Sequence, residues 1–240
     1  MKIGLVKKLF AALAFLKLDK FADKVYWNYF HGFKPASYAT LEAIEKAFLD
    51  TNRTGVLKKG DYYEFGVFKG YSLYYAQMLS SRYYPQMNIY GFDSFEGIPE
   101  LKEGDQKKEF YPGQFAVSKE NVIRNIKRKG GDIKKIKLIK GFFYDSLNKK
   151  TKKKYIMKKA SIINLDSDLY SSAVDVLKFC KTLLMKDTVI LFDDWNSFSG
   201  EKPSGEERAF EEFLRTNKSI KVKKMFAYGW HGQAFKVVSI

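Results

Sequence analysis

Short apolar runs that each meet an acidic residue at their carboxyl end recur along this chain, and that recurrence limits its fold more than any other feature. Asp61–Phe65 carries Glu64, Asn88–Phe92 runs into Asp93, Ser161–Leu165 into Asp166 and Asp168, and Thr188–Phe192 into Asp193 and Asp194. Lys135–Ile139 is a further run of similar length. Between them lie segments with helical spacing: Ser72–Ser81, with Leu73, Ala76 and Leu79 inward, then Lys119–Lys129, Ser146–Tyr155 and Ser172–Met185. Glu206–Arg215 reads as a last helix, and Lys221–Tyr228 with Gln233–Val238 as an antiparallel hairpin. Strand and helix in alternation predict an α/β fold, a doubly wound, mostly parallel sheet with helices on both faces. At 240 residues, 45% of them hydrophobic, the chain can bury one sizeable core. We expect an N-terminal helical appendage or lid over residues 1–50 and one domain over residues 51–240.

In a parallel sheet the carboxyl ends of all strands share one edge, and ligands bind there. A single aspartate after a strand is commonly the cap of the next helix. Acids at four strand ends, doubled at two of them, argue for a site instead. Clustered carboxylates repel unless a cation sits between them, and a hard divalent ion is the natural occupant. Glu64 and Asp93 suit hydrogen bonds to a ligand amine and to ribose hydroxyls, whereas Asp166, Asp168, Asp193 and Asp194 suit an oxygen-ligated Mg²⁺. Zinc is a poor match, because the chain has one cysteine, Cys180, on an apolar helix face, and only His31 and His231 as imidazoles. The stretch Gly60–Ser72 (Gly-Asp-Tyr-Tyr-Glu-Phe-Gly-Val-Phe-Lys-Gly-Tyr-Ser) adds a glycine-bearing turn between strand and helix, which brings backbone N–H groups to the same edge. Its spacing departs from the strict dinucleotide fingerprint, so a purely structural tight turn remains the alternative.

Outside this edge the sequence is less specific. The net charge of +16 is mostly lysine and favours anionic partners, whether RNA, acidic lipid or sugar phosphates; solvated helix faces would give the same count. No nucleic-acid-binding signature accompanies it. Residues 2–21 form an amphipathic basic helix, with Leu5, Leu9, Leu13 and Leu16 on one face, too short and interrupted to span a membrane and without a cleavage signature. It packs on its own domain or on another subunit of a homo-oligomer, or it touches anionic lipid peripherally. The lone cysteine fits a cytoplasmic protein. Trp27–Tyr38, with His31, reads as a loop able to fold over a site, Thr40–Leu49 as a packing helix, and Glu96–Ser118 as a candidate lid. Tyr62, Tyr63, Tyr74, Tyr75, Tyr83 and Tyr84 read as core and rim, while Tyr170 and Trp195 draw notice because each follows an acidic strand end.

Four ordered motifs carry a resemblance. Glu64-Phe-Gly-Val-Phe-Lys-Gly-Tyr-Ser72, Gly91-Phe-Asp-Ser-Phe-Glu-Gly-Ile-Pro99, Asp166-Ser-Asp-Leu-Tyr170 and Phe192-Asp-Asp-Trp195 together resemble the macrocin O-methyltransferase family, a class I S-adenosylmethionine-dependent group. The resemblance implies a Rossmann-like, seven-stranded sheet. It implies that Glu64, Gly66 and Ser72, with Phe65, Gly70 and Tyr71 of the same turn, surround the methionine part of the cofactor. Asp93, with Ser94 beside it, would meet the ribose, and Phe143 to Asp145 the adenine. Asp166 or Asp168, with Asp193 and Asp194, would bind Mg²⁺, with Asp166 taken as the ligand, and the metal would hold neighbouring hydroxyls of a sugar. Related catechol-type enzymes place a lysine soon after the fourth-strand acid; here Leu169 and Tyr170 stand in that neighbourhood, which leaves Asp166 or Asp168 as catalytic base and His31 as a competitor if its loop folds over. The implied activity is Mg²⁺-dependent O-methylation of a sugar or glycosylated small molecule, in surface-glycan or natural-product biosynthesis. The alternatives are an RNA methyltransferase and a non-catalytic cofactor-binding protein acting through its basic N-terminal helix.

Overall fold

The computed structural model describes residues 38–105, 110–197 and 203–240. The basic helix expected over residues 2–21 and the loop through His31 lie outside them. Helix α1 (Tyr38–Arg53) turns Leu41, Ile44 and Phe48 inward and leads through a 3-10 turn (Val56–Lys59) into β1 (Asp61–Phe65), a strand buried along its whole length. The units that follow are α2 (Tyr71–Tyr83), β2 (Ile89–Asp93), α3 (Lys119–Arg128) and β3 (Ile136–Lys140), then the short α4 (Phe143–Ser146) and α5 (Lys149–Lys154). After them come β4 (Ala160–Leu165), α6 (Tyr170–Cys180), β5 (Val189–Phe192), α7 (Gly205–Thr216), β6 (Lys221–Tyr228) and β7 (Gly232–Ser239). Ala39–Ile240 forms one compact unit that includes nearly all of α1.

The sheet has seven strands in the order β3-β2-β1-β4-β5-β7-β6. β1 to β5 run parallel, and β7 slots antiparallel between β5 and β6. This is the doubly wound sheet with a terminal hairpin that the alternating pattern predicts. β1 and β4, covered on both faces, are buried at consecutive positions rather than alternating ones, as central parallel strands are. Phe65 and Phe92 stack at 4.8 Å across paired strands, with Phe179 of α6 edge-on to both. On the other flank of that face Phe192, Trp195, Phe210 and Phe235 pack ring to ring. Trp195 is therefore a core residue, not a surface for ligand, and so are Tyr62, Tyr63 and Tyr75; Tyr74, Tyr83 and Tyr84 lie half-buried at the rim. Cys180 is buried in the core of α6, as its apolar neighbours predict.

Two helices differ from their expected bounds. The segment read as a single helix, Ser146–Tyr155, is two short ones, because the Asn148 side chain accepts the Thr151 N–H at 3.0 Å and starts a new helix. The helix read as Ser172–Met185 begins at Tyr170 and stops at Cys180, where the Leu183 N–H turns back to the Cys180 carbonyl. α1 is tied to the hairpin by a buried ion pair between Asp50 and Lys236.

The crossing from β1 to α2 is the tightest point of the sheet. Gly66 has φ +92°, a region costly for other residues, and a Cβ there would overlap the Asp166 backbone carbonyl. Gly66→Ala should therefore cost about 3 kcal/mol or more, the sum of backbone strain and overpacking. Urea unfolding measures this; a loss under about 1 kcal/mol, the ordinary effect of a point change, would show that the two strand ends separate without penalty.

Candidate active site

The parallel strands finish level with one another. The Gly66 N–H donates to the Phe92 carbonyl at 2.9 Å, Asp166 N–H to Phe65 at 2.9 Å, and Asp193 N–H to Leu165 at 2.9 Å. The residues just beyond these bonds, on β1, β2, β4 and β5, thus share one edge, as the sequence pattern predicts. Along it runs a cleft with about 960 Å³ of empty space, part of it continuous with solvent. Gly66, Asp93, Ser94, Phe143, Asp166 and Asp168 line it among the residues expected from sequence.

Asp93 shapes the floor. Its Oδ2 accepts the Val67 and Phe68 N–H groups at 2.7 and 3.0 Å, and its Oδ1 accepts Phe95 N–H at 2.6 Å. Those bonds hold the turn after β1 with Phe68 at φ +47° and Gly70 at φ +81°, and so set the entry into α2. Burial raises the Asp93 carboxyl, and the three backbone donors offset part of that rise.

Glu64 stands one layer below. It is fully buried; its Oε2 accepts Tyr62 O–H at 2.6 Å and the Asn164 amide at 3.3 Å, and its Oε1 accepts Ser72 O–H at 2.8 Å. Burial pushes its carboxyl up to about 7 against the pull of those donors. Glu64 and Ser72 are therefore joined to each other, and neither Glu64 nor Phe65, a core residue, lines the cleft. Gly70 and Tyr71 do not line it either: Gly70 approaches Val122 and Ile126 of α3, and Tyr71 is buried.

The far wall is aromatic. Phe142, Phe143 and Tyr144 follow β3, with the rings of Phe142 and Tyr144 stacked at 5.5 Å, and Ile98, Pro99 and Phe115 of the Glu96–Ser118 loop face the same space. Asp145 is exposed outside the lining. The loop is anchored by Asp105, whose carboxylate accepts the Ser171 N–H and O–H at 2.8 and 2.9 Å.

At the β4 and β5 ends the acids gather. One oxygen from each of Asp166, Asp168 and Asp194 can lie within 4.8 Å of the other two. Asp168 has φ +60°, an uncommon backbone for a residue other than glycine. Burial holds the carboxyls of Asp166 and Asp168 well above the usual range, and neighbouring acids, chiefly Asp193 for the first and Asp194 for the second, raise them further. The Asp194 Oδ1 accepts Ser197 O–H at 2.8 Å, while its buried Oδ2 has no hydrogen-bond partner among the described residues. Asp193 is not one of the three, although it is the neighbouring acid that most raises Asp166. Its Oδ1 accepts Thr40 O–H of α1 at 2.8 Å, and His231 lies with Nδ1 3.7 Å from that oxygen and 2.6 Å from the Asp193 carbonyl. The three acids that converge, Asp166, Asp168 and Asp194, share Asp166 and Asp194 with the expected set of Asp166, Asp193 and Asp194.

The macrocin-O-methyltransferase (TylF) family profile matches residues 37–233. The chain belongs to that family. Solved structures share its fold. The O-methyltransferase NovP superposes with a TM-score of 0.70 at 21% identity, over 82% of this chain and 79% of that one. The calicheamicin methyltransferase CalS11 gives 0.64 at 16% identity, over 97% and 91%. TomG from Streptomyces achromogenes, solved in complex with S-adenosylmethionine, gives 0.54 at 11% identity, over 91% and 96%. No curated protein matches the sequence. As a member of the macrocin O-methyltransferase family the chain is an S-adenosylmethionine-dependent O-methyltransferase.

For a methyltransferase of this family the cleft fits the cofactor in its chemistry. It offers a polar floor at Asp93 and Ser94, the first turn of α6 at Ser171 and Ser172, and a stacked aromatic wall suited to a purine. The acids fit a divalent cation, since three part-exposed carboxylates converge and one buried oxygen is orphaned. Sequence reasoning missed Phe142 and Glu206. Phe142 precedes the expected Phe143–Asp145 turn and carries no polar signal. Glu206 reads as an ordinary first-turn acid of α7, yet it is fully buried behind Asp194.

Proposed function

We propose that this enzyme methylates a hydroxyl of a sugar or glycosylated small molecule, in surface-glycan or natural-product biosynthesis, with the help of Mg²⁺. The observation that carries the metal part is the convergence of Asp166, Asp168 and Asp194, the first two of which line the cleft. The acceptor class is supported by family membership and by the related fold of CalS11, described as a TDP-rhamnose 3'-O-methyltransferase.

In this reading Gly66 leaves room where β1 meets β4, Asp93 and Ser94 receive the ribose side of the cofactor, and Phe142, Phe143 and Tyr144 flank its adenine. The Glu64–Ser72 pair fixes the start of α2 from below rather than binding the methionine amine directly. S-adenosylmethionine supplies a methyl group on a sulfonium that departs readily, so the protein has chiefly to align acceptor and donor. Asp166, Asp168 and Asp194 would hold the cation, which as a Lewis acid would lower the acceptor hydroxyl's pKa. Asp194 is set back from the cleft, so Asp166 and Asp168 face the acceptor, and Asp168 takes its proton at the carboxylate. The turn that carries Asp168 in a left-handed backbone fixes that carboxylate before substrate arrives.

The test is a methyl-sized mass shift on a panel of nucleotide sugars and glycosylated acceptors, with and without EDTA. Methylation of sugars that EDTA abolishes is the expected result. Methylation undisturbed by EDTA would remove the metal, and methylation of RNA but not of sugars would move the acceptor to the nucleic-acid class that the +16 charge also suits. No helix among the described residues is long and apolar enough to cross a membrane. Peripheral lipid contact through residues 2–21, and the treatment of residues 1–50 as an appendage, stand as proposals. Unchanged vesicle sedimentation after deleting residues 1–21 would end the first.

A further inference from the structure

Glu206 lies in the first turn of α7 and has no exposed surface. An acid in a first helical turn is favourable there while remaining in water, so the dipole alone gives no reason to bury it. Its Oε1 accepts the Ser167 N–H at 3.1 Å and the Ser167 O–H at 3.4 Å, and its Oε2 accepts the Asp194 N–H at 3.0 Å. Ser167 is the residue between Asp166 and Asp168. One carboxylate therefore ties the turn after β4 to the turn after β5. The backbone ladder between these strands ends with Asp193 N–H on the Leu165 carbonyl, and past that bond the two segments diverge into separate helices. The acids that approach one another lie beyond the last rung, where like charge drives the turns apart.

From this bridging we infer that Glu206 is a positioning residue, which sets the spacing of Asp166, Asp168 and Asp194 so that the three accept a divalent cation. The inference rests on the cation reading of those acids given above. Glu206 itself offers nothing to the ion: both its oxygens are committed to the two turns. Such outer partners of metal ligands commonly govern affinity through orientation.

The test compares wild type, Glu206→Gln and Glu206→Asp. Gln keeps one acceptor oxygen and turns a donor amide toward a backbone N–H. Asp keeps the charge but is one methylene too short to reach both turns. Mn²⁺ affinity is measured by electron paramagnetic resonance of the free ion, and S-adenosylhomocysteine affinity by calorimetry. Both variants should lose Mn²⁺ affinity by about 10–100-fold while binding S-adenosylhomocysteine as wild type does. Wild-type Mn²⁺ affinity in Glu206→Asp would overturn the bridging role, whatever Gln does, because charge alone would then suffice. Parallel loss of both ligands would also overturn it, marking Glu206 as a general stabiliser. If Glu206→Gln does not fold, Glu206→Asp decides by itself. A wild-type protein that binds no Mn²⁺ is a different failure, that of the cation reading.

Discussion

Asp194→Asn and Asp168→Asn, made separately, should each lower kcat/KM by on the order of 10³-fold, the middle of the range for losing a group that handles a proton or the charge that replaces it. The two variants fail for different reasons. At Asp194 the buried Oδ2 accepts no hydrogen bond in good geometry among the described residues, which leaves its negative charge open to an added cation. An asparagine there is nearly isosteric and can keep the Ser197 contact, yet it removes that charge. At Asp168 the substitution leaves the left-handed turn intact, because asparagine tolerates this backbone almost as well as aspartate. Loss of activity at Asp168 with normal S-adenosylhomocysteine binding would be loss of chemistry rather than of the cofactor seat. Asp193→Asn, by contrast, should act mainly through the anchorage of α1, since its Oδ1 accepts from Thr40. Full methyl transfer by either Asp168→Asn or Asp194→Asn would remove that residue from the site.

Thermal stability of the cation-free protein should fall as pH rises from about 5 to 8, the opposite of the common pattern for paired surface acids. The sign follows from Glu64. Its carboxyl titrates near 7 in the folded chain against an ordinary 4.5, so between these values the folded state keeps a proton that the unfolded state has released. The unfolding free energy therefore declines with pH through that window; the contribution is whole below about 4.5 and lost above 7, and for Glu64 it amounts to about 3 kcal/mol. Asp166, Asp168, Asp194 and Glu206 are raised by burial in the same direction and add to the slope. The positive net charge of the chain grows as pH falls and works against it, so the decisive comparison is with Glu64→Gln, which should show a shallower decline. Adding Mg²⁺ at pH 8 should recover stability and release protons, because bound carboxylates must be ionised. A melting temperature that climbs with pH in EDTA would contradict this account of the buried acids.

The sheet was legible in the sequence because central parallel strands have a distinctive form. Runs such as Tyr62–Phe65 and Ile162–Leu165 are apolar on both faces of the strand, interrupted only by Glu64 and Asn164, bounded by glycine, serine or acid, and too short for helices. The edge where ligands gather was legible for the same reason: topology alone puts Asp93, Asp166 and Asp194 together once the strands are parallel. What could not be read is depth. Glu64 lies inside β1 opposite Gly91, two positions short of the level of Asp93, so it sits under the cleft, bound to Tyr62, Ser72 and Asn164, while Asp93 lines it. That register between strands far apart in the chain is not written in either run alone. Asp193 and Asp194 are adjacent and chemically identical, and only the direction of the backbone after β5 separates them. Glu206 was hidden because its partners are backbone N–H groups, which leave no trace in composition.

The hairpin insertion puts β6 at one margin of the sheet, with an outer edge of backbone donors and acceptors that no strand among the described residues covers. Along it Lys221, Lys223 and Lys224 are exposed. A second molecule aligning its own β6 there would bring these ammonium groups face to face, and lysine on an exposed edge is one of the ways natural sheets resist end-to-end growth. Part of the lysine surplus is thus accounted for without any anionic ligand: it keeps a sheet with an open margin from propagating into an aggregate.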